Sequence, residues 1–180
     1  VAAELVGAVA GLGAILNHPN IVSVYQVVET GSDAAIAMEL VEGNSLRRLT
    51  GKPIPLEHVC HFGGQAAQAL AAAHRQGVTH RDIKPENLMV RPDGYLKVLD
   101  FGLARDVTDQ QSATTSIPVG TLRYMSPEQT RGESLTGATD VFSLGLVLYE
   151  LATGRHPFSA DSPFEVAHAI ATVTPAPPSS

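Results

Sequence analysis

The sequence predicts an α+β domain in which two strands precede a mostly helical block, and three observations predict it. Residues 21–30 are rich in valine, and residues 34–39 resume the apolar pattern after a turn signal. Residues 56–76 and 139–153 are long apolar segments with helical spacing. The tripeptide at residues 92–94, Pro-Asp-Gly, marks a small hairpin between these helices. This order predicts loops that carry chemistry and helices that hold those loops.

The elements of the first half follow from local signals. Residues 2–16 have helical apolar spacing, weakened by three glycines, and Pro19 breaks that helix. The helix at residues 56–76 begins after Pro55 and ends before Gly77, which are favoured places for these residues. Its apolar stripe is expected to face a core and consists of Val59, Phe62, Ala66, Leu70 and Ala73.

The second half alternates short strands, a loop and helices. Residues 87–91 and 95–99 predict the two strands of the hairpin. Residues 102–128 have no periodicity and many serines and threonines, which predicts a functional loop. Residues 164–171 predict a last helix before a proline- and serine-rich tail at residues 174–180.

Composition excludes several classes of protein. The chain has 180 residues, of which 44% are hydrophobic and 17% charged, as in a globular domain. A formal charge of −6 argues against nucleic acid as a partner. The single cysteine, Cys60, forms no internal disulfide, no charged segment of a secretory signal opens the chain, and no apolar run reaches the roughly 20 residues of a spanning helix. A cytoplasmic location is expected, either alone or as the cytoplasmic part of a longer membrane-anchored protein.

Two motifs carry the chemistry. Residues 80–87 read His-Arg-Asp-Ile-Lys-Pro-Glu-Asn, and residues 100–102 read Asp-Phe-Gly. Asp82 can orient a hydroxyl and accept its proton, and Lys84 can stabilise charge on a phosphoryl group. Asn87 and Asp100 offer the hard oxygen ligands that Mg²⁺ prefers. Their joint spacing indicates phosphoryl transfer from ATP.

These motifs resemble those of the serine/threonine protein kinases, most closely the bacterial, eukaryotic-like type. Further resemblances lie at residues 18–20, 38–41, 120–128, 140–145 and 153–158. The resemblance implies an incomplete catalytic domain, mostly the helical C-lobe. On this interpretation, residues 1–41 are the last part of the N-lobe with the hinge, residues 42–173 are the C-lobe, and residues 174–180 are a tail.

The resemblance also implies a role for each matching residue, with ATP and Mg²⁺ as cofactors and protein Ser/Thr hydroxyls as acceptors. The catalytic set is Asp82, Lys84 and Thr121. Nucleotide contacts are expected at Met38, Glu39, Val41, Lys84, Asn87, Met89 and Asp100, of which Asn87 and Asp100 bind the metal. Structural roles fall to His80, Arg81, Phe101, Gly102, Glu128 and Asp140. As a simpler alternative, Asp140 caps its own helix.

Arg81 beside the base predicts a regulatory phosphate on the loop, because an arginine there needs an anionic partner. Thr114 and Thr115 are the candidate phosphosites, with Ser116 beside them. A dimer for autophosphorylation is a further expectation.

Four departures from the family pattern leave alternatives open. No glycine-rich nucleotide loop and no Val-Ala-x-Lys strand occur, and Val9 occupies the position of an expected glutamate. Glu128 lacks its usual arginine, so we expect it to be solvated or poorly ordered. A pseudokinase or scaffold is therefore the second interpretation. A small-molecule kinase of the aminoglycoside type is the third, although Lys84 and residues 120–128 oppose it.

Overall fold

The computed structural model describes residues 16–30, 33–101, 122–158, 160 and 162–179. It confirms the α+β class. The predicted helix at residues 2–16 lies outside the described residues except for Leu16. In chain order the strands are β1 Val24–Thr30, β2 Asp33–Met38, β3 Asn44–Ser45, β4 Leu88–Val90 and β5 Leu96–Val98. The helices are α1 Leu56–Arg75, α2 Pro127–Thr130, α3 Gly137–Thr153 and α4 Pro163–Thr172, with 3₁₀ turns at Leu46–Leu49 and Pro85–Asn87.

Two long helices, α1 and α3, pack against each other and form the base of the site. The predicted stripe of α1 is buried in full, from Val59 to Ala73. A side-chain carbon added at Gly63 of α1 would lie 3.0 Å from Leu148 of α3, so a residue without a side chain permits the close approach. The core on both sides of this contact includes Leu144, Val147 and Leu151 of α3. The hydrophobic effect of this burial fixes the helices that carry the loops.

The strands form two small sheets, and the sheet that contains β5 packs against α1. Strands β1 and β2 form an antiparallel pair, and the predicted hairpin of β4 and β5 is confirmed. Strand β3 was not predicted, because two residues carry no periodic signal; it pairs with β4. Ile21 forms a parallel bridge with Val98, and Val22 N–H donates to Val98 O at 3.0 Å. The segment before β1 is therefore attached to β5.

Local capping explains the helix ends. Thr136 caps α3 by accepting from the N–H of Ala138, and Gly154 ends it with a φ of 73°. Helix α2 is unpredicted and starts with a capping box between Ser126 and Gln129. This short helix occupies part of the predicted loop at residues 102–128, of which residues 102–121 lie outside the described part.

No helix in the described parts of the chain combines the length and the apolar character that crossing a bilayer requires.

Candidate active site

Three side chains of the first motif meet in one hydrogen-bonded cluster. Lys84 Nζ donates to Asp82 Oδ2 at 2.7 Å. Asn87 Nδ2 donates to Asp82 Oδ2 at 3.1 Å and to the backbone oxygen of Asp82 at 2.8 Å. The 3₁₀ turn Pro85–Asn87 brings Asn87 back over Asp82. The cluster thus combines a carboxylate, a cation and an amide within one short loop.

A buried carboxylate on α3 holds this loop by its backbone. Asp140 has no solvent exposure. Its Oδ2 accepts from the backbone N–H of His80 at 2.8 Å, and its Oδ1 accepts from that of Arg81 at 2.8 Å. His74 Nε2 on α1 donates to Oδ2 at 2.7 Å. Thr136, not Asp140, caps α3, so the simpler alternative of a capping role is wrong.

The anchor meets the backbone where its conformation is unusual. Arg81 has a φ of 69°, which costs free energy for a residue with a side chain. Gln129 Nε2 donates to the backbone oxygen of Arg81 at 2.7 Å. Within the described residues, Arg81 Nε is buried and has no hydrogen-bond partner. The candidate phosphosites Thr114 and Thr115 lie outside the described residues, as do Thr121 and Gly102.

His80 is a neutral, fully buried link between the two motifs. Its Nε2 donates to the backbone oxygen of Leu99 at 2.7 Å, and its Nδ1 accepts from the N–H of Asp82 at 3.2 Å. Burial lowers the pKa of His80 and outweighs the opposite effect of the Leu99 oxygen and of nearby carboxylates. The ring of Phe101 meets it edge-on, with centroids 4.6 Å apart.

The two expected metal ligands belong to neighbouring segments. The N–H of Leu99 donates to the backbone oxygen of Asn87 at 2.9 Å, which places Asp100 one residue from that contact. Both amide hydrogens of Asn87 are used on Asp82, so its carbonyl oxygen is the atom suited to a cation. Among the described residues, no group of three or more His, Cys, Asp and Glu could hold a metal. An amide oxygen and one carboxylate fit Mg²⁺, which keeps few protein ligands beside phosphate oxygens.

The expected nucleotide contacts lie at the end of β2 and on β4. Met38 ends β2 opposite Val24, and the N–H of Glu39 donates to the backbone oxygen of Ser23 at 2.8 Å. Val41 is half-buried in the segment that follows. Met89 lies on β4 between Ser45 and Lys97, which are its partners on the two neighbouring strands.

Glu128 corrects a prediction. It is half-buried rather than solvated, and its Oε1 accepts from the hydroxyl of Thr139 at 2.7 Å. Desolvation raises the pKa of Glu128, but hydrogen bonds, the Thr139 contact foremost, outweigh it and lower the pKa overall. A hydroxyl from α3 thus supplies a partner that the sequence did not reveal.

A cluster around Arg47 was also missed. Arg47 Nε lies 2.7 Å from Glu86 Oε1, and Arg47 Nη1 lies 3.6 Å from Glu150 Oε1. The guanidinium also lies over the ring of Tyr124, 5.4 Å from its centroid. Tyr124 donates a hydrogen bond to Glu150, and its pKa is raised by burial and by this carboxylate. The cluster joins the 3₁₀ turn Pro85–Asn87 to α3 through Arg47, and Tyr124 brings the predicted functional loop at residues 102–128 to the same place.

Known proteins are similar in sequence to this chain over most of its length. Residues 11–175 match the family model described as the protein kinase domain. The serine/threonine-protein kinase PknB of Mycobacterium leprae is 44% identical over 173 residues, which are 92% of this chain and 28% of that protein. PknB of Mycolicibacterium smegmatis is 43% identical with the same coverage, and a probable serine/threonine-protein kinase of Clostridium acetobutylicum is 42% identical over 88% of this chain and 24% of its own.

The chain thus spans about a quarter of the length of these curated relatives. The match to the family model covers far more than half of the chain, and residues 38–41, the β4–β5 hairpin and the anchored loop lie inside it. This chain belongs to the protein kinase domain family.

Proposed function

We propose that this chain carries the catalytic centre of a protein serine/threonine kinase, which transfers the γ-phosphate of ATP to Ser/Thr hydroxyls of proteins. The observation that carries the proposal is the cluster of Asp82, Lys84 and Asn87 on a loop that Asp140 holds by its backbone. Phosphoryl transfer depends on alignment and charge stabilisation, and a rigidly held acid–base cluster supplies both. The names of the relatives support the same reaction class.

Each residue of the cluster has a chemical task. Asp82 orients the acceptor hydroxyl and takes its proton. Lys84 places a positive charge beside the base, where it stabilises the charge on the transferred group. Asn87 and Asp100 are the residues that would hold Mg²⁺, and the bound ion would neutralise phosphate oxygens of ATP.

The remaining assignments are part of the same proposal. The backbone of Glu39 and Val41 binds adenine from the hinge, with Met38 behind it and Met89 beneath. Thr121 favours Ser/Thr acceptors, and Thr114 and Thr115 become phosphorylated, with autophosphorylation in a dimer. Phosphopeptide mass spectrometry after incubation with Mg-ATP tests those sites, and a phosphate-free segment at residues 114–116 would contradict the assignment.

Replacement of the base tests the proposal directly. In the full-length protein, Asp82→Asn keeps an oxygen that can accept a hydrogen bond from Lys84. The amide cannot take a proton from the acceptor hydroxyl. We expect kcat for phosphate transfer to a serine- and threonine-rich test protein to fall by about 10²- to 10⁴-fold. Affinity for a fluorescent ADP derivative is expected to stay within about twofold, because Asp82 acts on the acceptor and not on the adenine.

Asp93→Asn is the matched control, since it makes the same change at an exposed turn. Its activity is expected to equal that of the wild type. If the wild type binds nucleotide but transfers no phosphate, the pseudokinase interpretation replaces the kinase. If Asp82→Asn retains full activity, Asp82 is not the base.

A further inference from the structure

The one charged side chain of β5, Lys97, lies in a mostly apolar strand. Its strand neighbours Leu96 and Val98 have no solvent exposure, and Lys97 itself is 8% exposed. Burial of an ammonium group is costly unless an anion and hydrogen-bond acceptors surround it. Lys97 Nζ meets both needs: it lies 2.8 Å from Glu39 Oε2 and 3.4 Å from the backbone oxygen of Ile21.

Glu39 also binds the backbone of Ser23, which connects the ion pair to a third segment. The atom that binds Lys97, Oε2, also accepts from the backbone N–H of Ser23 at 3.2 Å. In the opposite direction, the N–H of Glu39 donates to the backbone oxygen of Ser23. One partly buried ion pair, with the Lys97 and Glu39 side chains 10% and 21% exposed, therefore joins β5, the segment before β1 and the first residue after β2.

This ion pair lies beside two residues proposed to contact the nucleotide, Glu39 and Met89. Lys97 is the direct cross-strand partner of Met89, the proposed adenine floor, so both side chains stand on the same face of the hairpin. Glu39 begins the hinge whose backbone is proposed to bind adenine. Leu40, which follows, is 84% exposed, so burial of its side chain does not hold the hinge in place.

We propose that Lys97 is a positioning residue for adenine recognition: through Glu39 it fixes the hinge backbone at a set distance above Met89. This inference rests on the proposed function, because it assumes that the hinge and Met89 contact ATP. A purely stabilising role predicts something different. An apolar pair of similar volume would stabilise the fold as well as a buried ion pair does, whereas only a directional pair fixes where the hinge lies.

The test separates nucleotide affinity from the chemical step. In the full-length protein, Lys97→Met keeps most of the length of the side chain and removes its charge. We expect KM for ATP and Kd for fluorescent ADP to rise about tenfold, with kcat at saturating ATP and KM for the protein substrate within about twofold of wild type. Lys97→Arg, which keeps the charge, is expected to return KM to within about threefold of wild type.

Glu39→Gln provides a second variant if Lys97→Met fails to fold. Its amide oxygen can still accept from Ser23, so it removes only the charge, and we expect the same selective rise in KM for ATP. The double variant is expected to be no worse than Lys97→Met alone, because the two residues act as one unit. Lys52→Met, at an exposed position, is the matched control and is expected to behave as wild type.

Two results would overturn the inference. One is an unchanged Kd for ADP in folded Lys97→Met or Glu39→Gln protein. The other is an equal loss in kcat and in both KM values, which would indicate a general structural role. A wild-type protein that binds ADP but transfers no phosphate still permits the Kd measurement, so the proposed function then fails alone. A wild type that binds no adenine nucleotide contradicts both.

Discussion

At the scale of single residues, the candidate catalytic loop takes its shape from side chains that lie far away in the sequence. The grouping of Asp82, Lys84 and Asn87 could be predicted, because their spacing within one loop is visible in the sequence, and the family resemblance assigned a structural role to Asp140. Other long-range pairs could not be predicted in the same way. Lys97 and Glu39 are 58 residues apart, and the Thr139 hydroxyl finds Glu128 only after α2 and α3 have packed. Such pairs depend on tertiary contact and leave no local pattern.

His80 makes stability depend on pH. The pKa of this buried ring lies below the value of about 6.5 of an unfolded histidine. The unfolded chain therefore binds the proton first as the pH falls. His80 does not reduce the free energy of unfolding above about pH 6.5, and below that pH it lowers this free energy progressively. For one histidine the slope is at most about 1.4 kcal/mol per pH unit. Burial also lowers the pKa of His156, and desolvation with nearby cations lowers that of His18, so both add to the decline.

Urea unfolding between about pH 7.5 and about pH 5.5 measures this slope. His80→Phe keeps a ring but cannot be protonated, so it is expected to flatten the slope by the contribution of one histidine, whatever its absolute stability. His168→Gln is the matched removal of an exposed histidine. An identical slope in wild type and His80→Phe would show that His80 does not contribute.

At the scale of elements, the strongly periodic segments and the hairpin with its Pro-Asp-Gly turn were predictable, whereas short elements without such signals were not. Helices α1 and α3 were predicted within two residues of their observed bounds, because each buries a long apolar stripe and has clear end signals. Strand β3 and helix α2 are too short for periodicity, and tertiary pairing or a capping box defines them. The end signals also differ in their structural surroundings, as the glycines after α1 and α3 show.

Gly77 and Gly154 form a matched pair for a test of crowding. Both follow a long helix, and both have a φ of 73°. A carbon added at Gly77 meets nothing within 4 Å, whereas one added at Gly154 lies 2.8 Å from the Lys52 backbone and from Pro53. We expect Gly77→Ala to lower the free energy of unfolding by about 1–2 kcal/mol through backbone strain alone. Gly154→Ala is expected to cost about 1–3 kcal/mol more, because backbone atoms must move.

Urea unfolding of both variants measures the difference. Equal losses would show that the segment at residues 52–53 moves away without cost, and that the left-handed conformation is the whole effect.

At the scale of the whole molecule, one of the two small sheets packs on the helical base through β5, and the proposed site lies where the two sheets meet. The α+β class and the family were predictable because the motifs are spread along the chain and agree with the order of the elements. The attachment of the segment before β1 to β5 was not, since a single parallel bridge at Ile21 has no sequence signature. That bridge brings the hinge side of the site to the strand that leads to Asp100.

Ligand binding across this junction is expected to stabilise the whole fold. With Mg²⁺ and ADP at about 100 times its Kd, the free energy of unfolding should rise by about 2.7 kcal/mol. Removal of Mg²⁺ with EDTA is expected to take away most of that gain, because Asn87 and Asp100 are proposed to hold the nucleotide through the metal. Thermal unfolding with and without each component measures the effect.

Asp100→Asn is the informative variant for the metal. Asp100 has a φ of 60°, which asparagine tolerates, so the change removes charge without backbone strain. We expect it to abolish the effect of EDTA, while Asp93→Asn retains that effect. A wild type stabilised equally with and without Mg²⁺ would contradict the proposed metal ligands.

The hydrogen bonds that Asp140 accepts from two backbone N–H groups have a consequence for protein engineering. Every residue except proline has a backbone N–H group, so these two hydrogen bonds do not depend directly on the side chains at positions 80 and 81. A library randomised at position 140 should lose the loop's anchorage in nearly all members. One randomised at positions 80 and 81 should keep it only where position 80 accepts full burial and position 81 accepts a left-handed backbone. The anchorage of the loop is thus encoded on α3, while burial at position 80 and the conformation at position 81 limit which residues the loop can carry.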